Sequence, residues 1–206
     1  MAKRKSEIRQ RNIDNILLAA EQVFAERGYA GASMAEIARL AGIPKSNVHY
    51  YFSTKQELYR EVLLGLLEIW KQDALCFEMY DDPRIVLSTY IRAKMTHSRT
   101  RAAGSKVWAT EVMQGGAVLG DYLRDNLYGW ARQIEARIQR WIDAQLILPV
   151  APAYLLYMIW ASTQHYADFD YQISLLNDDA PLDDLQFEHA VQTVTSTILR
   201  GIGLSP

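Results

Sequence analysis

The stretch SMAEIARLAGIPKSNVHYYFSTKQEL, Ser33 to Leu58, constrains the fold more than any other part of the chain. Ser33 followed three residues later by Glu36 has capping-box spacing, so a helix opens just after Ser33. Ile37, Leu40 and Ala41, with Met34 one turn earlier, fall on one helical face. Gly42 suits the left-handed position that ends a helix, and Ile43 can plug the angle that follows. Pro44 has a fixed φ and no N–H to lose, so it fits the first turn of a second helix. That helix, about Lys45 to Tyr51, offers Lys45, Ser46, Asn47, His49 and Tyr50 outward, while Val48 and Phe52 can point inward. Ser53 and Gln56 form a second capping-box candidate that opens a long third helix. Two short helices around a glycine-containing turn match a helix-turn-helix, a shape that enters a DNA groove. An ordinary pair of short packed helices has the same spacing.

Charge supports the groove-binding reading. The whole chain of 206 residues carries a net charge of −2, but residues 1–55 sum to +4 and the remainder to −6. A basic head on an acidic body is the electrostatic footprint of a DNA-binding segment joined to something else. Half the residues are hydrophobic, enough for a sizeable core in one or two domains. Cys76 is the only cysteine, so no intramolecular disulfide forms and a reducing cytoplasm is the expected location. The opening MAKRKSEIRQR is basic with no apolar segment behind it, unlike a signal peptide. The longest aliphatic run, Val62 to Leu67, contains Gly65 and stops at Glu68, far short of a membrane span of roughly 20 residues.

The periodicity predicts an all-α chain of about nine helices. Ile13, Ile16, Leu17, Ala20, Val23 and Phe24 recur at helical spacing before Gly28. After the motif, helices are expected over Thr54 to about Met79, Arg84 to Thr100, Ala102 to Met113, about 25 residues from Gly120, and Ala153 to Leu175. The last segment, Leu185 to Ile202, is rich in β-branched residues. Its Phe187, Val191, Val194 and Ile198 nevertheless keep helical spacing. The expected division is a helix-turn-helix domain over 1–54, built as a three-helix bundle, and a larger helical effector-binding and dimerisation domain over 55–206.

The order of helices and the sequence AGIPKSNVHYYFSTKQEL resemble the TetR family of transcriptional regulators. Gly42 stands at the turn, Tyr50-Tyr51-Phe52 supply the aromatic cluster, and Lys55 follows Phe52 by three residues. Pro44 and the Asn47-Val48-His49 run depart from the usual motif and leave the operator sequence open. Further along, MIWASTQHYADF at Met158 to Phe169 and YIRAKM at Tyr90 to Met95 resemble the pyrimidine-utilisation branch of that family. The resemblance implies a repressor that senses uracil or thymine, or a paralogue that reads a related ring.

In the DNA reading, Lys45 can reach guanine O6/N7 or a phosphate and Asn47 can pair with adenine. Ser46 and His49 can bond either kind of acceptor. Tyr50, Ser33 and Lys55 are better placed for phosphates, Lys55 at the positive end of the long helix. Lys3 to Arg11 could add a phosphate or minor-groove arm. Each of these could equally be a solvated surface residue. One short helix reads few base pairs, so a homodimer on a palindrome is expected. Phe187, Val191, Val194 and Ile198 are its candidate interface, unless that stripe packs within one chain.

Trp160 and Gln164 are four apart, on one helical face. An indole gives a stacking surface, and a carboxamide offers one acceptor and two donors to match a pyrimidinedione. A buried Trp and a Gln bonded to backbone would look the same. Lys94, Trp108 and Glu111 are further ligand candidates on neighbouring helices. A regulator sensing a more hydrophobic compound is the alternative. An enzyme is disfavoured: His49, His97, His165 and His189 are scattered, and phosphate-loop, dinucleotide, HExxH and GxSxG motifs are lacking. No cofactor, metal or catalytic residue is expected.

Overall fold

The computed structural model describes the backbone of residues 2–205 and the side chains of residues 6–205. Every regular element among them is helical: α1 Ala2–Gly31, α2 Met34–Ala41, α3 Lys45–Tyr51, α4 Lys55–Asp73, α5 Cys76–Met79, α6 Pro83–Thr100, α7 Ala102–Met113, α8 Gly120–Asp143, α9 Pro152–Asp168, α10 Asp170–Leu176 and α11 Asp184–Gly201. The all-α expectation holds, and α11 is helical despite its β-branched residues.

The helices outnumber the expected nine because two long patterns break. The helix from Thr54 ends at Asp73, where the Leu75 N–H bonds the Gln72 carbonyl only three residues back. The Cys76 thiol then reaches the Val86 carbonyl, and Phe77 packs against Tyr90 and Trp141. The Ala153–Leu175 pattern breaks at Phe169, whose ring stacks on His165 at 4.8 Å. In both places side-chain packing redirects a chain whose periodicity runs on.

The chain forms two compact units, Met1–Glu68 with Ala103–Gly120 and Ile69–Ala102 with Asp121–Pro206. In the first, Ile16, Ala20, Val23 and Phe24 of α1 are buried, as their spacing requires. Gly28, at φ 67°, interrupts α1. On α2 the buried face is Met34, Ile37 and Ala38, whereas Leu40 is 42% exposed. The core face of this short helix is therefore rotated from the expected one, with Ala38 taking the place given to Leu40. The long helix is capped one residue later than expected. Thr54 Oγ1 accepts the Glu57 N–H at 3.0 Å, and the Glu57 carboxylate accepts the Ser53 N–H at 2.8 Å. A carboxylate beside the positive helix end is a stronger acceptor than the Gln56 amide.

Gly104 of α7 is the most tightly packed of the glycines described in this unit. A Cβ there would lie 2.4 Å from Leu66 Cδ2 and 2.9 Å from the Glu21 carboxyl, both on buried side chains. Overpacking typically costs about 1–3 kcal/mol and outweighs the helix-propensity gain of about 1 kcal/mol. Gly104→Ala should therefore lower the urea midpoint. A raised midpoint would mean that Leu66 and Glu21 yield without strain.

The second unit has one core, formed by Val86, Leu87, Tyr90 and Ile91 of α6 with residues of α8, α9 and α11. Val191, Val194 and Ile198 lie in this core at 1%, 9% and 6% exposure, and Phe187 packs against it. The expected dimer stripe is thus spent inside the chain, because an apolar helix face serves α6 and α9 as readily as a second copy. Arg92–Glu188 and Arg99–Asp184 ion pairs tie α6 to α11 at the surface.

Candidate nucleic-acid interface and effector site

The turn between α2 and α3 has the geometry its residues called for. The Ser33 hydroxyl accepts the Glu36 N–H at 3.1 Å, while the Glu36 carboxylate lies 3.5 Å from Arg27. Gly42 sits at φ 68°, ψ 28°, in the left-handed region. Pro44 is the residue just before α3, and its carbonyl accepts the N–H groups of Asn47 and Val48. Val48 and Phe52 are buried, which turns Lys45, Ser46, Asn47, His49 and Tyr50 outward; all five are exposed. Tyr50 is 78% exposed, with its ring edge-on to Tyr51. Asn12 Nδ2 donates to the Tyr51 hydroxyl at 3.4 Å, fastening α3 to α1. A short, rigid helix thus presents five polar or aromatic side chains that can reach base edges and phosphates. Arg9 and Arg11 of the expected basic arm are exposed. The side chains of Lys3, Arg4 and Lys5 lie outside the described residues.

Lys55 does not face outward for a phosphate. Its Nζ donates to the carbonyls of Tyr29 at 2.7 Å, Ala30 at 3.3 Å and Ala32 at 3.0 Å, and lies 4.7 Å from the Tyr29 ring centroid. An ammonium has three donors, and three backbone acceptors share them. The carbonyls are those left open where α1 breaks at Gly28 and ends. Lys55 therefore seals the end of α1 and fixes the backbone leading into Ser33.

Trp160, Gln164 and Lys94 belong to the second unit, and Trp108 and Glu111 to the first. The Trp160 N–H donates to the Tyr90 hydroxyl at 2.9 Å, and its ring stacks on Trp130 with centroids 6.2 Å apart and planes 7° apart. The indole is held in a fixed plane by α6 and α8. Gln164, one turn along α9, is half-buried, and its carboxamide makes no hydrogen bond among the described residues. Its backbone-bonded alternative is therefore not realised. Lys94 is buried, its Nζ 4.1 Å from the Trp70 ring centroid. Burial pushes its pKa down to about 8, against the opposing pull of Asp73 and Asp168. Asp73 in turn pairs with His97 at 3.0 Å. Burial likewise raises the Tyr90 hydroxyl well above its ordinary value.

Glu111 is not available to an effector. It is 2% exposed, and its Oε1 accepts the N–H groups of Val118 at 2.6 Å and Leu119 at 3.0 Å. It also hydrogen-bonds the Tyr59 hydroxyl, whose pKa is raised first by burial and then by the Glu111 charge. Its work is to fold back the segment after α7. Trp108 is buried in the same unit. Sequence reasoning passed over Trp70, Tyr90 and Trp130, which orient Lys94 and Trp160. The spacing of Tyr90 and Lys94, one turn apart on α6, was the signal that could have found Tyr90.

An all-helical fold with an outward-facing helix-turn-helix and a separate helical core defines a DNA-binding transcription regulator. The chain belongs to the TetR family. The model for bacterial regulatory proteins of the tetR family matches residues 16–62, and the model for the YcdC-like protein C-terminal region matches residues 63–205. The HTH-type transcriptional regulator RutR of Escherichia coli K12 is 35% identical over 187 residues, covering 91% of this chain and 88% of the relative. The HTH-type transcriptional activator FasR of Mycolicibacterium smegmatis is 50% identical over 48 residues, 23% of this chain and 22% of its own. In fold, the chain is similar to the ketosteroid transcriptional regulator KstR2 of Mycobacterium tuberculosis, with a TM-score of 0.75 at 19% identity over 92% of this chain and 94% of that one. These likenesses are to regulators, and the chain is a regulator rather than an enzyme. No helix among the described residues is long and apolar enough to cross a membrane.

Proposed function

We propose that this chain is a repressor whose hold on a palindromic operator is relieved by a pyrimidine such as uracil or thymine. Residues 1–54 read DNA through Lys45, Ser46, Asn47, His49 and Tyr50, with Ser33 and Tyr50 on phosphates. Residues 55–206 bind the effector and a second copy of the chain. The carrying observation is the Gln164 carboxamide, half-buried and without a hydrogen bond among the described residues, one turn from the fixed indole of Trp160. A partly buried amide without a partner is poised for a ligand that supplies one. Its donors and acceptor match the alternating N–H and C=O groups of a pyrimidinedione. The 35% identity to RutR along 91% of the chain supports the same reading.

The effector shifts the population between two states by its differential affinity for them. α4 runs from the head into the second unit and is one covalent route between the two functions. For the homodimer, α9 offers Tyr154, Tyr157 and Met158, all more than half exposed. Such a run of large apolar groups on one helix is the kind of surface that pairing covers.

Gln164→Leu should leave the dimer and operator binding intact and remove the response to uracil and thymine. Operator fragments titrated with the variant, with and without each pyrimidine, provide the measurement. A variant that still lets go of DNA when uracil is added would sink the assignment. Hydrophobic compounds run alongside test the greasier alternative.

A further inference from the structure

A second cavity lies in the second unit, at the C-terminal end of α6. It has a volume of about 350 Å³, and its walls include Arg99, Tyr166, Ile173, Ser174, Leu182 and Phe187. None of these residues takes part in the effector or DNA reading above. The volume falls within the range of small-molecule sites. Ile173, Leu182 and Phe187 make one part of the lining apolar. Asp170 also borders the cavity, but it accepts the Tyr171 N–H at 2.7 Å and has a further partner in the protein. Its carboxylate is already engaged, and the site is built without it.

The other polar side chains named above can all donate. The Arg99 guanidinium lies 4.8 Å from the Phe187 ring centroid and pairs at 2.7 Å with Asp184, whose side chain is 96% exposed. An ion pair with so exposed a partner contributes little. A ligand carboxylate lodged in the cavity can therefore replace Asp184 on the guanidinium fork. Tyr166 and Ser174 are half-buried, and their hydroxyls make no hydrogen bond among the described residues. Each hydroxyl has one proton to donate. A guanidinium and two unengaged hydroxyls beside an apolar lining suit a ligand with an anionic head and an apolar body. A cation of the same shape meets Arg99, and a neutral ligand leaves the guanidinium with Asp184.

The wall carrying Leu182 is preformed. Asn177 Nδ2 donates to the Ala180 carbonyl at 2.9 Å, and the Gln186 amide donates to Asn177 Oδ1 at 2.7 Å. Gln186 also completes a capping box with Asp183 at the start of α11. Walls set in place before binding save the ligand the cost of ordering them.

We infer that this cavity is an accessory binding site for an organic monocarboxylate with an apolar, ring-bearing body. Arg99 takes the carboxylate, the Tyr166 and Ser174 hydroxyls donate to it, and Ile173, Leu182 and Phe187 enclose the ring. The site is independent of the pyrimidine reading. Equilibrium dialysis of the full chain against phenylacetate, and against phenylacetamide as the uncharged analogue of the same shape, tests it. Phenylacetate should bind, and phenylacetamide should bind about tenfold to hundredfold more weakly, as expected for loss of a hydrogen-bonded charge. Arg99→Met should weaken phenylacetate by a similar factor. Asp184→Asn removes the competitor for the guanidinium and should tighten phenylacetate by up to about fivefold, a gain that a damaged fold would not produce. Leu182→Trp, which fills the cavity without touching Arg99, should abolish binding. Gln164→Leu should leave it unchanged, which separates this site from the effector site. The inference fails if phenylacetate is not retained, if phenylacetamide binds as well, if Asp184→Asn weakens binding, or if Arg99→Met and Leu182→Trp bind like the wild type.

Discussion

Lys55→Ala should unfold at a denaturant midpoint well below that of the wild type, with a loss of about 2–3 kcal/mol. The substitution removes a charged donor shared by the carbonyls of Tyr29, Ala30 and Ala32, together with its contact to the Tyr29 ring. Water can reach only part of what is uncovered, since two of the three bonds are partly buried. DNA binding should weaken through displacement of Ser33 and α2. The dependence of affinity on salt should keep its slope, because no counterion is released by a lysine that touches no phosphate. A lysine placed on a phosphate, as the sequence suggested, would instead weaken binding to all DNA sequences and reduce the slope by about one. Chemical unfolding and a salt titration on the same variant separate the two roles. A flattened slope at full stability would return Lys55 to the phosphate.

The second large effect is a rise in stability with pH that depends on Lys94. Burial lowers its pKa from 10.5 to about 8. Between those values the unfolded chain holds a proton that the folded chain has given up. Stability therefore increases as pH rises through this window and is flat with respect to Lys94 below it. The full excursion is about 3 kcal/mol. Cys76 opposes it, since burial raises its thiol from 9.0 to about 11 and folding loses support as pH climbs through that interval. Comparing wild type with Lys94→Met cancels the cysteine contribution. The difference between their unfolding free energies should grow from pH 8 to pH 10.5. A constant difference across that range would mean that Lys94 keeps its proton in the folded protein.

The parts of the fold legible in the sequence were those decided by neighbours along the chain. Ser33, Gly42, Val48 and Phe52 act within a turn or two of themselves, so spacing was enough to place them. Lys55 was misread because its acceptors lie 23 to 26 residues upstream. Its position on the first turn of α4 spoke only of the local helix end. Val191, Val194 and Ile198 were misassigned for a related reason. A helical apolar stripe reports that a face is covered but not by what, and here α6 and α9 cover it. Glu111 looked like a ligand group because a carboxylate on a helix carries no sign that later backbone N–H groups will turn back onto it. Trp160 and Gln164 stood out by residue type and spacing, but the Tyr90 and Trp130 contacts that orient the indole join segments far apart in sequence. The break after Asp73 had no local signal, because the Phe77 ring that follows it packs against Tyr90 and Trp141 of other helices.

The near-parallel indoles of Trp130 and Trp160, 6.2 Å apart, have an optical consequence. Two identical chromophores at that separation share their excited states, and the coupling changes steeply with distance and tilt. One of the two is bonded to Tyr90 and sits a turn from Gln164, so any rearrangement around that amide alters the circular dichroism of the pair. The proposed effector response would therefore be readable from this indole pair without a label and in the absence of DNA.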